Sequence, residues 1–165
     1  MSFGGGKSKS KGLWTQSVLT NLDSNITRIK QAGWDGIVYV IKEGDPGLSN
    51  AFAKSFANAK AEGLSILVSV SNSQPYRIPD ASLLMTGFIS DSNIDYLSPQ
   101  LFRSGNEPEN DYTDKGTTWA SYTSAKAKFV PSVVNFVRDC PTAASYFDQF
   151  RIQVYGCVQW AQGFF

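Results

Sequence analysis

Gly36-Ile37-Val38-Tyr39-Val40-Ile41 is the stretch that decides the fold. After its opening glycine it is wholly β-branched or aromatic, with no polar residue alternating in. Such continuous apolar runs mark strands covered on both faces, as in parallel sheets. The residues before it read as a helix: Leu22, Ile26 and Ile29 share one apolar face, Asn21 or Asp23 offers a cap, and Gly33 stops it. The residues after it turn at Glu43-Gly44-Asp45-Pro46-Gly47 and become helical again over 48–62, with Phe52 and Phe56 one turn apart. Gly63 closes that helix. Ser65-Ile66-Leu67-Val68-Ser69-Val70 then repeats the buried-strand pattern.

The alternation continues along the chain. A polar loop over 71–80 leads to a short helix over 81–90, and a strand over 94–98 runs into Pro99-Gln100-Leu101-Phe102. A long polar loop covers 103–118, a length that usually signals function or motion. Residues 119–127 read as helix, 129–134 as a strand with Pro131 near its start or at a bulge, 141–150 as helix and 152–160 as the last strand. Leu13 to Leu19 is read as a short first strand. Strand–helix alternation implies a parallel sheet with right-handed crossovers. The pattern gives about six strands, whereas an eight-stranded barrel needs about 250 residues. The expected fold class is therefore α/β: parallel strand–helix repeats forming a shortened or incomplete TIM-like barrel.

Composition narrows the function. Hydrophobic residues make up 42% and charged residues 18%, which excludes a disordered chain. A single domain over 13–165 is expected, preceded by a basic Gly/Ser/Lys tail over 1–12 of a kind that is normally disordered. Lys7, Lys9 and Lys11 sit in that acid-free tail, and the rest of the chain is slightly acidic. A net charge of +1 gives no reason to expect nucleic acid. The chain has no His, which removes the usual catalytic base, the Ser/His triad and the commonest metal ligand. Cys140 and Cys157 are too few for a Cys-rich zinc site; a disulfide and two buried thiols both remain open. No cofactor or metal is expected. No stretch is long enough to cross a bilayer and no signal-peptide core opens the chain, so a cytoplasmic or intracellular home is expected, or an extracellular one if the chain is processed.

Several strands resemble those of the family 18 glycoside hydrolases, the chitinase and chitinase-like barrels. Trp34-Asp35-Gly36-Ile37 resembles the start of that family's Asp-Gly-x-Asp-x-Asp-x-Glu strand. Ile94-Asp95-Tyr96-Leu97-Ser98-Pro99-Gln100-Leu101-Phe102 resembles its sixth strand, and Tyr155-Gly156-Cys157-Val158-Gln159-Trp160 its eighth, where a Trp floors the sugar site. Taken in order, Asp35 to Trp160 follows the family's C-terminal half. The departures fall on the chemistry. Counted from Asp35, the later aspartates fall on Val38 and Val40, the catalytic acid falls on Lys42, and the sixth-strand tyrosine falls on Phe102. Tyr39 to Val70 is also loosely similar to family 25 lysozymes, which carry a Lys-x-x-Glu-Gly loop before an Ala-Lys-Ala-Ala-Gly-Leu helix end.

Sites on parallel barrels gather at the C-terminal strand ends. That rule selects Glu43 as the one candidate acid, with Asp45, Asn72, Gln74, Tyr76, Gln100, Arg103, Glu107 and Trp160 as candidate ligand contacts, and Glu109 beside them. Carboxylates, amides and aromatic rings together suit sugars, because hydroxyls need paired hydrogen bonds and ring faces need stacking. Each also has an ordinary structural use: an acid capping a loop, a Trp filling a core. The resemblance implies a catalytically inert chitinase-like domain, with a glycan partner or a scaffold role. The alternatives are a self-assembling structural protein that uses the basic tail, and a divergent glycosidase with Glu43 as acid, paired with Glu107 or Asp45. The short barrel and the tail point to a homo-oligomer.

Overall fold

The computed structural model describes residues 1–6 and 12–160. Its strands are β1 (Ser2–Gly5), β2 (Gly36–Ile41), β3 (Ser65–Ser71), β4 (Tyr96–Gln100), β5 (Lys128–Phe129), β6 (Ser132–Val133) and β7 (Val158–Gln159). Its helices are α1 (Gln16–Asp23), α2 (Ile26–Gln31), α3 (Ser49–Ala61), α4 (Ala81–Ser90) and α5 (Phe136–Asp148), with a 3-10 helix over Trp119–Ser124. All strands are parallel, in the order β1, β2, β3, β4, β6, β7 with β5 also on β4, and the sheet curls into a half-barrel. The expected α/β class of parallel strand–helix repeats is what the chain adopts.

The buried strands pair as their composition demands. Gly36 aligns with Ser65 and Ile41 with Val70. A Cβ at Gly36 would lie 2.6 Å from the Ser65 carbonyl oxygen, so glycine is what lets β2 begin against β3. On the helix-covered face Tyr39 is fully buried, stacked near Trp14 and edge-on to Phe56, while its hydroxyl meets that of Ser55 at 3.0 Å. Phe52, Phe56 and Phe88 extend this aromatic cluster onto α3 and α4. A second cluster, Trp119, Tyr122, Phe129 and Phe147, packs α5 and the 3-10 helix against β5.

Several readings of the chain need correction. Residues 13–19 are not a strand: only Trp14 bridges to Gly44, and Thr15 then caps α1 by accepting from the Val18 N–H at 3.2 Å. The strand that opens the sheet is Ser2–Gly5, within the segment expected to be a disordered tail. It pairs through its backbone along β2, and Phe3 packs against the core; a glycine-rich edge strand has no side-chain period to announce it. Lys7, Lys9 and Lys11, to which the basic-tail reading was tied, lie outside the described residues. The strand expected over 129–134 is two short pieces in one register, since Tyr96 with Lys128, Leu97 with Phe129 and Gln100 with Ser132 share the same offset. Pro131 brings no N–H to the ladder and splits it. The last strand is far shorter than 152–160: among the described residues that stretch pairs only at Val154 and over Val158–Gln159, with Gly156 at a φ of 149° between them.

The cysteine question resolves as a disulfide, Cys140–Cys157, tying α5 to the residue before β7. α5 also begins earlier than expected: Asn135 caps it by accepting from the Arg138 N–H at 3.0 Å, and Pro141 lies inside it. No described helix is long and apolar enough to cross a membrane.

Candidate functional site

The strand ends place two linked groups on the C-terminal rim. The first is an aromatic shelf. Trp160 follows β7, held by its N–H to the Val133 carbonyl at 2.8 Å. Its ring lies 5.7 Å from that of Phe102, after β4, with the planes tilted by 40°. The Lys42 amine, from the residue after β2, sits 5.7 Å from the Trp160 ring centroid, within cation–π range. Gly105 makes room for the indole: a Cβ there would lie 2.8 Å from Nε1. Trp160 remains 39% exposed, so the shelf is open to solvent.

The second group is centred on Glu43, which is 5% exposed. Its Oε1 accepts from the Tyr76 hydroxyl, and the Arg77 guanidinium lies 3.7 Å away. The backbone arranges this contact, since Glu43 and Arg77 form a parallel bridge beyond the ends of the regular strands. Gly6 joins the two groups: a Cβ there would meet both the Tyr76 hydroxyl and the Lys42 side chain. Lys42, Glu43, Tyr76 and Trp160 therefore occupy neighbouring parts of one rim.

The other polar candidates are engaged by the 103–118 loop or by the sheet. Glu107 accepts from the N–H groups of Arg103, Ser104 and Gly105 and from the Ser104 hydroxyl, all within its own loop. Desolvation pushes its pKa up, but these donors outweigh it and hold the carboxyl at about 2. Arg103 pairs with Asp111 at 2.7 Å. Asp111, against the opposing effect of desolvation, is held at about 2 by Thr113 and Arg103. Asn72, at φ 46°, donates to the Asp111 carbonyl at 3.1 Å. Gln74 accepts from Thr117 at 3.0 Å and Ser82 at 3.1 Å. The buried Gln100 amide reaches the Ser69 hydroxyl at 3.3 Å. Asp45 is exposed, with its backbone N–H on the Trp14 carbonyl at 2.9 Å, and Glu109 is exposed too.

Of the candidates, then, the structure brings Glu43, Tyr76 and Trp160 together. It ties Asn72, Gln74, Arg103 and Glu107 into the loop that docks on the rim. Glu43 and Glu107 are held by different segments. Lys42, Phe102 and Gly105 were missed as contributors to the rim. Lys42 was legible, since alternation from Val38 and Val40 carries its side chain to the inner side of the strand end; nothing local in the sequence marks Gly105 as the seat of an indole from residue 160. Among the described residues no cluster of three or more His, Cys, Asp or Glu is arranged to hold a metal.

No protein-family model, curated protein or solved structure matches the chain. What is shown of its kind is the fold: a parallel α/β half-barrel.

Proposed function

We propose that this chain is a catalytically inert, chitinase-like half-barrel that binds a glycan on the rim at the C-terminal strand ends. The observation that carries the reading is the Trp160 ring, 39% exposed at the rim, beside the tilted Phe102 ring and with the Lys42 amine over it. A sugar ring stacks on such a face through its C–H groups, while the amine and the Glu43–Tyr76 pair offer donors and acceptors to its hydroxyls. Two features favour binding over hydrolysis. The position that corresponds by resemblance to the family's acid is Lys42, and a carboxyl held near 2, as at Glu107, carries no proton to donate at neutral pH. The disulfide favours an oxidising compartment as the site of action.

Calorimetric titration with chitohexaose tests this. Saturable binding that is lost in Trp160→Ala, with no new reducing ends over hours, is expected. Binding unchanged in that variant, or turnover abolished by Glu43→Gln, overturns it; the second result would establish the glycosidase.

A second reading, self-assembly, has one observation in its favour: among the described residues β1 and β7 each pair along one side only, which leaves the two edges of the half-barrel without a strand partner there. Open edges are templates for another chain. Sedimentation separates the readings. A discrete oligomer dissociated by Val158→Lys supports assembly, and a monomer at all concentrations removes it.

A further inference from the structure

At the opposite end of the sheet, where strands begin, segments 122–129 and 151–155 wall a cavity of about 230 Å³. Lys126, Lys128 and Arg151 line it, and among the described residues no carboxylate does. Among the described residues none of these three side chains forms an ion pair, whereas Lys60, Arg77, Arg103 and Arg138 each do. The neighbouring acid is already engaged. Asp95 takes the Lys60 amine at 2.9 Å and the Ile66 N–H at 2.8 Å, and turns only its backbone carbonyl to the Lys128 N–H. On the α5 side, Asp148 likewise meets Arg151 through its backbone carbonyl, and its side chain does not line the cavity. Tyr155, 55% exposed, forms one wall, with the Lys128 amine 5.7 Å from its ring centroid. The Tyr122 hydroxyl is turned away and donates to the Ser73 carbonyl at 2.7 Å.

Cations gathered round one concavity repel one another, and that repulsion is relieved when an anion sits between them. We propose that this cavity binds a tetrahedral oxyanion, the phosphoryl or sulfate group of a small ligand whose body rests on Tyr155. The amines supply rotatable donors, and the guanidinium supplies a planar fork that matches two oxygens at once. The proposal is independent of the glycan rim, which lies at the other end of the strands.

The test is titration of the full chain, by calorimetry, with inorganic phosphate and with sulfate, against chloride at matched ionic strength. Saturable binding of at least one oxyanion is expected, weakened about tenfold in Lys128→Gln and in Arg151→Gly. Arg151→Gly suits the left-handed φ of 59° there, so its melting temperature should not fall and lost binding cannot be blamed on unfolding. Lys54→Gln, on α3, should bind as the parent chain does. Equal affinity for both ions identifies a site for charge and shape. Phosphate binding that strengthens as its second proton leaves identifies a phosphoryl site. A linear response matching chloride, or cavity variants that bind like the parent, overturns the proposal.

Discussion

The two ends of the sheet treat charge in opposite ways. At the C-terminal rim three acids are engaged: Glu43 by Tyr76 and Arg77, Glu107 by three backbone amides, Asp111 by Arg103 and Thr113. At the N-terminal end, Lys126, Lys128 and Arg151 share a cavity with no acid among the described residues of its walls. For Glu107 and Asp111 the cause is the 103–118 loop. It folds onto the rim and supplies partners there, through Asp111 to Asn72, Lys115 N–H to Ser73 and Thr117 to Gln74. Among the described residues no comparable loop supplies acids to the cavity at the other end. A polar residue at a strand end is thus available to a ligand only if no neighbouring segment has already taken it.

The contrast can be broken at its covalent tether first. Cys140→Ser with Cys157→Ser opens a crosslink of sequence separation 17 and should cost about 3 kcal/mol in urea unfolding. It should also loosen β7, so that Trp160 emission changes before global unfolding; coincident transitions would show that the rim does not depend on the bridge. Next, Glu107→Ala leaves the amides of residues 103–105 without their acceptor and should cost about 1–2 kcal/mol. Loss of amide-exchange protection should be confined to 103–118 and its contacts on 72–74.

Acid should attack the same end. Glu107 and Asp111 titrate at about 2 when folded, against ordinary values of 4.5 and 3.8. The unfolded chain therefore takes up their protons first, and the stability they provide, complete above about 4.5, declines as pH falls toward 2. A thermal melt that is flat across that range would contradict the loop's electrostatics. On the alkaline side, burial raises Tyr39 to about 12 from 10, so the unfolded chain loses that proton first and stability falls as pH rises from 10 to 12. The smallest effect belongs at the other end: Lys126→Gln and Lys128→Gln should each alter stability by less than about 0.5 kcal/mol, because no salt bridge is lost.

Much of the fold was legible because β2, β3, α3 and α4 obey one rule each. Their strands are continuous apolar runs, their helices bring Phe52, Phe56 and Phe88 to one cluster, and Gly63 stops α3 where a stop was read. Legibility failed where structure depends on distant partners. Ser2–Gly5 becomes a strand because β2 offers it an edge, and Trp14 is buried because its indole N–H finds the Val40 carbonyl at 2.9 Å. The same holds at the rim. Trp160 and Glu43 could be placed there from strand ends alone, but whether Asn72 and Gln74 face a ligand depends on contacts some forty residues away, with |i−j| of 39 for Asn72 and 43 for Gln74. The pocket at the strand beginnings is not legible in the sequence, because Lys126 and Lys128 meet Arg151 only through the fold.

The most direct test of the central claim is calorimetric titration of chitohexaose into the chain and its Trp160→Ala variant, with reducing ends assayed in parallel. The account predicts one saturable site in the parent chain, at least tenfold weaker binding in the variant (a loss within the range of an aromatic stacking contact) and no reducing ends from either. Equal binding by both proteins, or no binding by the parent, would contradict it.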